Sequence, residues 1–160
     1  MKESVAAVLR NYGESTAYSC KGHFKTADFQ ILFNKSLLIV NLSLSIATLA
    51  DLIPYQPLLK LLSTASLLAS VILLISDSNC RRKEIDLHHK FANEYLTLHY
   101  AIAKTFKLEG DLCSQKQLDD FHAKLVSLNH NPEKPQISFI GRKWSKFAVG
   151  CTKELDIWWK

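Results

Sequence analysis

Residues 36–76 constrain this chain more than any other stretch. Two apolar arms, 36–53 and 58–75, flank the turn Pro54-Tyr55-Gln56-Pro57. Each arm is 18 residues long and carries one charge beside the turn, Asp51 in the first and Lys60 in the second. At 1.5 Å per residue an arm is roughly 27 Å long, about the hydrocarbon thickness of a bilayer. The pair is expected to be a helical hairpin that enters and leaves a membrane on the same side. Residues 1–35 and 77–160 are then cytosolic helices before and after it, and the fold class is an all-α membrane protein. The competing expectation is a soluble core hairpin, apolar on all its faces. Such a hairpin needs a large core around it, and 160 residues supply a modest one.

The charges give the hairpin an orientation. Lys2, Arg10, Lys21, Lys25 and Lys35 precede the first arm, and Arg81, Arg82 and Lys83 follow the second. The turn has no Lys or Arg between Asp51 and Pro57. The positive-inside rule therefore puts both termini in the cytosol. The net charge of +5 is scattered among acids, and no basic run alternates with aromatics, so direct nucleic-acid binding is not expected. The four cysteines are far apart, with no CxxC pair, and in the cytosol they would be reduced thiols. Met1–Arg10 lacks an apolar h-region, so no cleavable leader is expected.

Polar residues inside the arms point to helix contacts. Asn41, Ser45 and Thr48 share one face of the first arm, with Asp51 one turn further on. These four are candidate pore-lining residues. In the second arm Ser63, Ser66 and Ser70 share a face, and Ala65 and Ala69 form a small-xxx-small pair that lets helices approach closely in lipid. These five are candidate packing residues within the membrane. Serines in membrane helices also bond to their own i−4 carbonyls, so simple hairpin packing stands beside pore lining as an explanation. Which of the two polar faces would line a pore stays open at this point.

Outside the arms the spacing is helical. A short helix over Lys2–Leu9 is expected to end near Asn11–Gly13, and a second to begin near Ser15 and run into the first arm. Asp77–Asn79 breaks the pattern after the second arm. A long amphipathic helix over Arg82–Leu108 follows, with His88, Phe91, Ala92, Tyr95, Leu98 and Ile102 as a candidate packing or oligomer stripe. Ser114 and Gln117 form a capping box for the next helix. That helix stops at Asn129–Pro135. A last helical segment leads to Trp158 and Trp159, which suit either a membrane interface or packing on the helical domain.

No catalytic pattern emerges. The six histidines include no set at zinc-ligand spacing, and they are expected to be solvated or packed. Nucleophile elbow, Walker loop and dinucleotide fingerprint are all missing, and five glycines are few for phosphate-cradling loops. The expectation is a protein that is not an enzyme, with no cofactor and no metal.

The order of these features resembles a known family. Tyr18-x4-His23-Phe24-x2-Ala27, two spans with a tight proline-containing turn, and His88-x3-Ala92-x2-Tyr95-x2-Leu98 together are similar to the SMODS and SLOG-associating two-transmembrane effectors, the SLATT family. The loop Asn131-Pro132-Glu133-Lys134-Pro135 also resembles that family's loop, though only approximately, and residues beyond Gly150 have no counterpart. The resemblance implies a bacterial inner-membrane protein of antiphage defence by abortive infection. It implies a homo-oligomer that opens a pore and arrests or kills the cell. It further implies a cytosolic sensor partner, such as a nucleotide second-messenger synthetase or a reverse transcriptase. The alternative is a non-conducting, membrane-anchored scaffold whose cytosolic helices bind a partner.

Overall fold

Helices account for every regular element among the residues that the computed structural model describes, which are 4–49, 55–76, 79–152, 154, 155 and 158. In chain order these are α1 (Val5–Leu49), α2 (Gln56–Ser76), α3 (Asn79–Leu108), a 3₁₀ turn (Gly110–Leu112), α4 (Gln115–Asn129) and α5 (Phe139–Gly150). By length and composition, α1 and α2 each contain a stretch apolar enough to cross a membrane, and 0% and 6% of those stretches are buried.

The first difference from expectation lies in α1. It runs unbroken through Asn11–Gly13, where a helix end was expected. Gly13 is there for another reason. A Cβ at this position would collide with the Trp158 ring, so the glycine permits a close approach within a continuous helix. Of the turn residues, Pro57 falls in the first turn of α2, where a missing N–H costs no helical bond. Asp51 and Pro54, the break at Asp77, and Trp159 lie outside the described residues. α3 begins at Asn79 rather than Arg82. The α4 capping box is present, with the Ser114 hydroxyl accepting from Gln117 N–H and the Gln117 side chain accepting from Ser114 N–H.

The chain divides into two compact units, Met1–Ala27 with Asp86–Lys160, and Asp28–Ile85. In the first unit, Phe91, Tyr95, Leu98 and Ile102 of α3 form a core with Leu9 of α1 and Leu118 and Leu125 of α4. His88 and Ala92 are buried on the same stripe. All six stripe residues are thus covered by their own unit. α5 lies against α1 where Thr26 and Gly22 leave room for Gly141. The Thr26 hydroxyl donates to the Gly22 carbonyl at 2.8 Å and accepts from Ser138 N–H at 3.2 Å. Ser138 in turn caps α5 by accepting from Gly141 N–H at 3.0 Å. Beyond α5, the Glu154 carboxylate accepts from Lys21 at 3.0 Å and Lys25 at 3.1 Å.

The second unit is built the other way round. Among its described residues only Ala69 is buried, while Leu38, Ile39, Leu61, Leu67, Leu74 and Ile75 are exposed. Asn41, Ser45, Ser66 and Ser70 face one another across its two helices instead, as described below.

The crossing of α5 on α1 yields a test. Alanine favours a helix over glycine by about 1 kcal/mol. At Gly141 the added Cβ would meet Thr26 Oγ1 and the Gly22 carbonyl. Gly141→Ala is therefore expected to destabilise the protein by about 1–3 kcal/mol through overpacking. Gly150→Ala, where nothing lies within 4 Å, is expected to be neutral or better. Thermal unfolding of the detergent-purified full chain compares them. Equal melting temperatures would count against the close crossing.

Candidate functional site

Two polar clusters stand out, one in each unit. The first joins α1 to α2. Asn41 Nδ2 donates to Ser70 Oγ at 2.9 Å, and Ser66 Oγ donates to Asn41 Oδ1 at 2.7 Å. Ser45 and Ser66 hydroxyls lie 3.2 Å apart. Residue numbers rise along α1 as they fall along α2, so the two segments run antiparallel at this seam. The serines also hold their own helices: Ser45 donates to the Asn41 carbonyl and Ser70 to the Ser66 carbonyl, each at 2.9 Å. Leu38, Leu73 and Leu74 border the Asn41–Ser70 end of this ladder, while Leu42, Ile46 and Leu67 are exposed.

The two polar faces singled out in the sequence therefore meet each other within one chain. Of the first-arm candidates, Asn41 and Ser45 belong to the seam. Thr48 donates only to the Ser45 carbonyl, at 2.8 Å, and Asp51 is outside the described residues. Of the second-arm candidates, Ser66 and Ser70 belong to the seam and Ala69 is buried beside them. Ser63 is exposed and donates to the Leu59 carbonyl, and Ala65 is exposed. Toward the start of this unit, Asn34 Oδ1 and Gln30 Oε1, one helical turn apart, are buried acceptors with no donor.

The second cluster lies in the core of the first unit. His23 of α1 and His88 of α3 are both fully buried, with their Nδ1 atoms 2.9 Å apart. One Nδ1 must carry a hydrogen and the other must accept it. Either imidazole can be the donor, since burial of Nε2 weighs equally on both rings. The His23 ring stacks between Phe91 and Tyr95, with centroids at 5.9 and 5.8 Å. Burial, reinforced by the charges of His88 and Lys134, lowers the His23 pKa from 6.5 to about 3.

Tyr95 carries the cluster outward. Its hydroxyl donates to Asn129 Oδ1 at 2.7 Å and accepts from Lys134 at 2.9 Å. Lys134 also donates to Asn129 Oδ1 at 3.1 Å, and its ammonium lies over the Tyr95 ring, 5.3 Å from the centroid. Burial, with Glu94 adding to it, pushes the Tyr95 hydroxyl up to about 12, so it stays a neutral donor. Burial lowers the Lys134 pKa.

His99 anchors the other end of the stripe. Its Nε2 accepts from the Trp158 indole N–H at 3.2 Å, which leaves the hydrogen on Nδ1 to reach the Gly13 carbonyl at 3.1 Å. Thr16 Oγ1 is 3.2 Å from the same Nδ1. Trp158 is thus packed on the helical domain, the second of its two expected placements. Among the described residues, no three His, Cys, Asp or Glu side chains cluster as metal ligands. Cys20 is buried and its thiol pushed up to about 12 by burial, far from a nucleophile's range.

Sequence reasoning placed His88 on the right stripe but did not pair it with His23. The available signal was positional. His88, Ala92, Tyr95 and His99 step by four, three and four, so both histidines sit on the buried face of α3. Comparison of the chain with family models, with curated proteins and with solved structures found no match.

The neutral His23 sets a pH dependence. Its pKa is depressed on folding, so the stability it contributes is whole above about pH 6.5 and is lost as pH falls toward 3, where the folded form also protonates. Between pH 7 and pH 5 the unfolded chain gains a proton that the folded chain refuses, a loss of about 2 kcal/mol. Melting temperature should drop over that interval, and His23→Gln should flatten the slope even if it lowers stability overall. A slope unchanged by the substitution would remove His23 as its source.

Proposed function

We propose that this protein is a membrane effector of a bacterial antiphage system. Residues 36–76 cross the bilayer as a hairpin, both termini are cytosolic, and copies associate to open a pore that arrests or kills the infected cell. The observation that carries the proposal is the reversed polarity of the unit Asp28–Ile85, in which Leu and Ile side chains face outward and Asn and Ser groups face one another. In water this arrangement exposes a large apolar surface while protecting polar groups that water would satisfy. In lipid both halves become favourable, since unsatisfied polar groups there cost several kcal/mol by rough transfer estimates. The resemblance to SLATT effectors, and the Lys and Arg residues flanking the span, support the topology and the biological role. A cytosolic sensor protein, such as a nucleotide second-messenger synthetase or a reverse transcriptase, would supply the trigger.

The seam gives the proposal a mechanism. Interhelical hydrogen bonds in membranes are worth about 0.6–2 kcal/mol each. Asn41, Ser45, Ser66 and Ser70 can therefore exchange partners within one chain for water and neighbouring copies at modest cost. A closed state keeps the ladder within each hairpin, and an open state turns it toward a polar path. With the α3 stripe covered inside its own unit, association falls to the apolar faces of the hairpin.

One observation favours a second reading. The ladder satisfies its polar groups without any partner, as a non-conducting anchor for a cytosolic scaffold would require.

Topology is tested by labelling. In a cysteine-free background, Tyr55→Cys should react with an impermeant reagent added to intact cells, and Cys151 restored alone should react only after lysis. The opposite pattern would reverse the orientation. Recovery of the chain from the soluble fraction without detergent would end the membrane proposal.

Conduction is tested by membrane potential. Expression, or activation by the sensor, should depolarise cells and arrest growth. Asn41→Leu with Ser45→Leu should abolish both effects at unchanged protein level and oligomer size. Depolarisation that survives this pair and also Ser66→Leu would show that the ladder lines no conducting path. Absence of depolarisation in the wild type, with membrane insertion intact, would favour the scaffold.

A further inference from the structure

The loop between α4 and α5 encloses a polar pocket of about 390 Å³, lined by Asn129, Asn131, Lys134, Pro135, Gln136, Ile137 and Arg142. Its hydrogen-bonding character is one-sided. Asn129 Oδ1 already accepts from the Tyr95 hydroxyl and from Lys134. Asn131 Oδ1 accepts from Glu133 N–H at 2.9 Å, closing an Asx turn. Asn129 Oδ1 is thereby filled, and both amides keep their N–H groups to offer a ligand. Lys134 uses two donors on Tyr95 and Asn129, which leaves a third. Arg142, exposed in the first turns of α5, adds a guanidinium fork. The loop's own carboxylate, Glu133, is drawn toward Lys90 at 3.8 Å.

We infer that this pocket binds a phosphate-bearing small molecule, held by Lys134, Arg142 and the N–H groups of Asn129 and Asn131. A half-buried ammonium that rests only on neutral oxygens lacks a counter-charge, and an anion supplies one. The donors outnumber the acceptor positions a carboxylate can offer toward one side, and they suit the three terminal oxygens of a phosphate. Pro135 and Ile137 offer a small apolar edge to the rest of the ligand, too little for an acyl chain, which favours a soluble molecule over a lipid headgroup. Burial, which lowers the Lys134 pKa, would be offset by a bound anion. Lys134 and Tyr95 would link the ligand to the stacked His23 ring, so occupancy should be felt in the core of this unit.

The experiment uses the full chain in neutral detergent at fixed ionic strength set by chloride. Inorganic pyrophosphate should bind saturably by calorimetry and raise the melting temperature. Arg142→Gln, at an exposed position, should weaken binding by about tenfold or more while leaving the unliganded melting temperature unchanged. Lys134→Gln should weaken it at least as much. Tricarballylate, whose charge is close to that of pyrophosphate near neutral pH, should bind about tenfold more weakly. Four results would overturn the inference: no saturable pyrophosphate binding at millimolar concentration, an Arg142→Gln affinity equal to wild type, tricarballylate equal to pyrophosphate, or binding only to micelles doped with phosphatidic acid. None of these readouts depends on membrane insertion or conduction.

Discussion

Asn41 offers its amide N–H to Ser70 and its carbonyl oxygen to the hydroxyl of Ser66, bonding both ways across the two helices of the second unit. Around it, α1 and α2 present Leu, Ile and Val. Such side chains pack tolerably in several registers, because an apolar surface has no direction. Two hydrogen bonds at 2.9 and 2.7 Å do have a direction, and a slip of one turn would break both. A single buried Asn fixes register in coiled coils by the same logic. Ser45, pulled toward Ser66 at 3.2 Å, extends the constraint by a further turn. Shape and alignment of this unit therefore rest on a few polar contacts, while its apolar bulk supplies an exterior.

The first unit meets the same constraint in a conventional interior. His23, His88 and His99 are fully buried, and each ring brings two nitrogens that need partners or must stay neutral. Tautomer choice resolves much of this. His99 is fixed by an indole donor on one side and a carbonyl acceptor on the other. His23 is held in place by its hydrogen bond with His88 and by stacking on two aromatic rings. These contacts tie α1 to α3 and to Trp158, and Tyr95 links them to α4 and to Lys134 in the loop after it. A core of leucine alone would bury as much apolar area, but it would not specify which face of α1 turns inward.

Much of the helical layout was legible in the sequence. The α3 stripe, the Ser114–Gln117 cap and the proline loop after Asn129 follow from periodicity and cap chemistry, which are local properties. The inward face of α1 was not legible. Its buried positions include Gly13, Thr16, Ala17, Cys20, Gly22, His23, Thr26 and Ala27, which are small or polar and leave no hydropathy stripe. Their common property is that they let α3, α5 and Trp158 come close, and closeness is a tertiary fact. The expected break at Asn11–Gly13 failed for that reason. The seam was half legible: each polar face could be drawn on its own helix, but nothing in the spacing said that the two faces would meet. Lys134 carries no local signal beyond its place in the loop after α4, because its contact with Tyr95 spans 39 residues.

The behaviour of α1 explains why an unbroken helix of 45 residues can serve two units of opposite polarity. Secondary structure is set by backbone hydrogen bonds, which are satisfied within the helix whatever surrounds it. Side chains carry the choice of surroundings. From Gly13 to Ala27 the buried side chains are small or polar on the face that meets other helices, where close packing and paired histidines stabilise an interior. From Asp28 onward the order reverses, and the large apolar side chains face out while Asn41 and Ser45 face α2. The division of the chain at Ala27 and Asp28 thus falls where the side chains change from one rule of burial to its opposite. A glycine or proline at that boundary would have marked it in the sequence, but neither is needed, because the backbone carries no signal of the change.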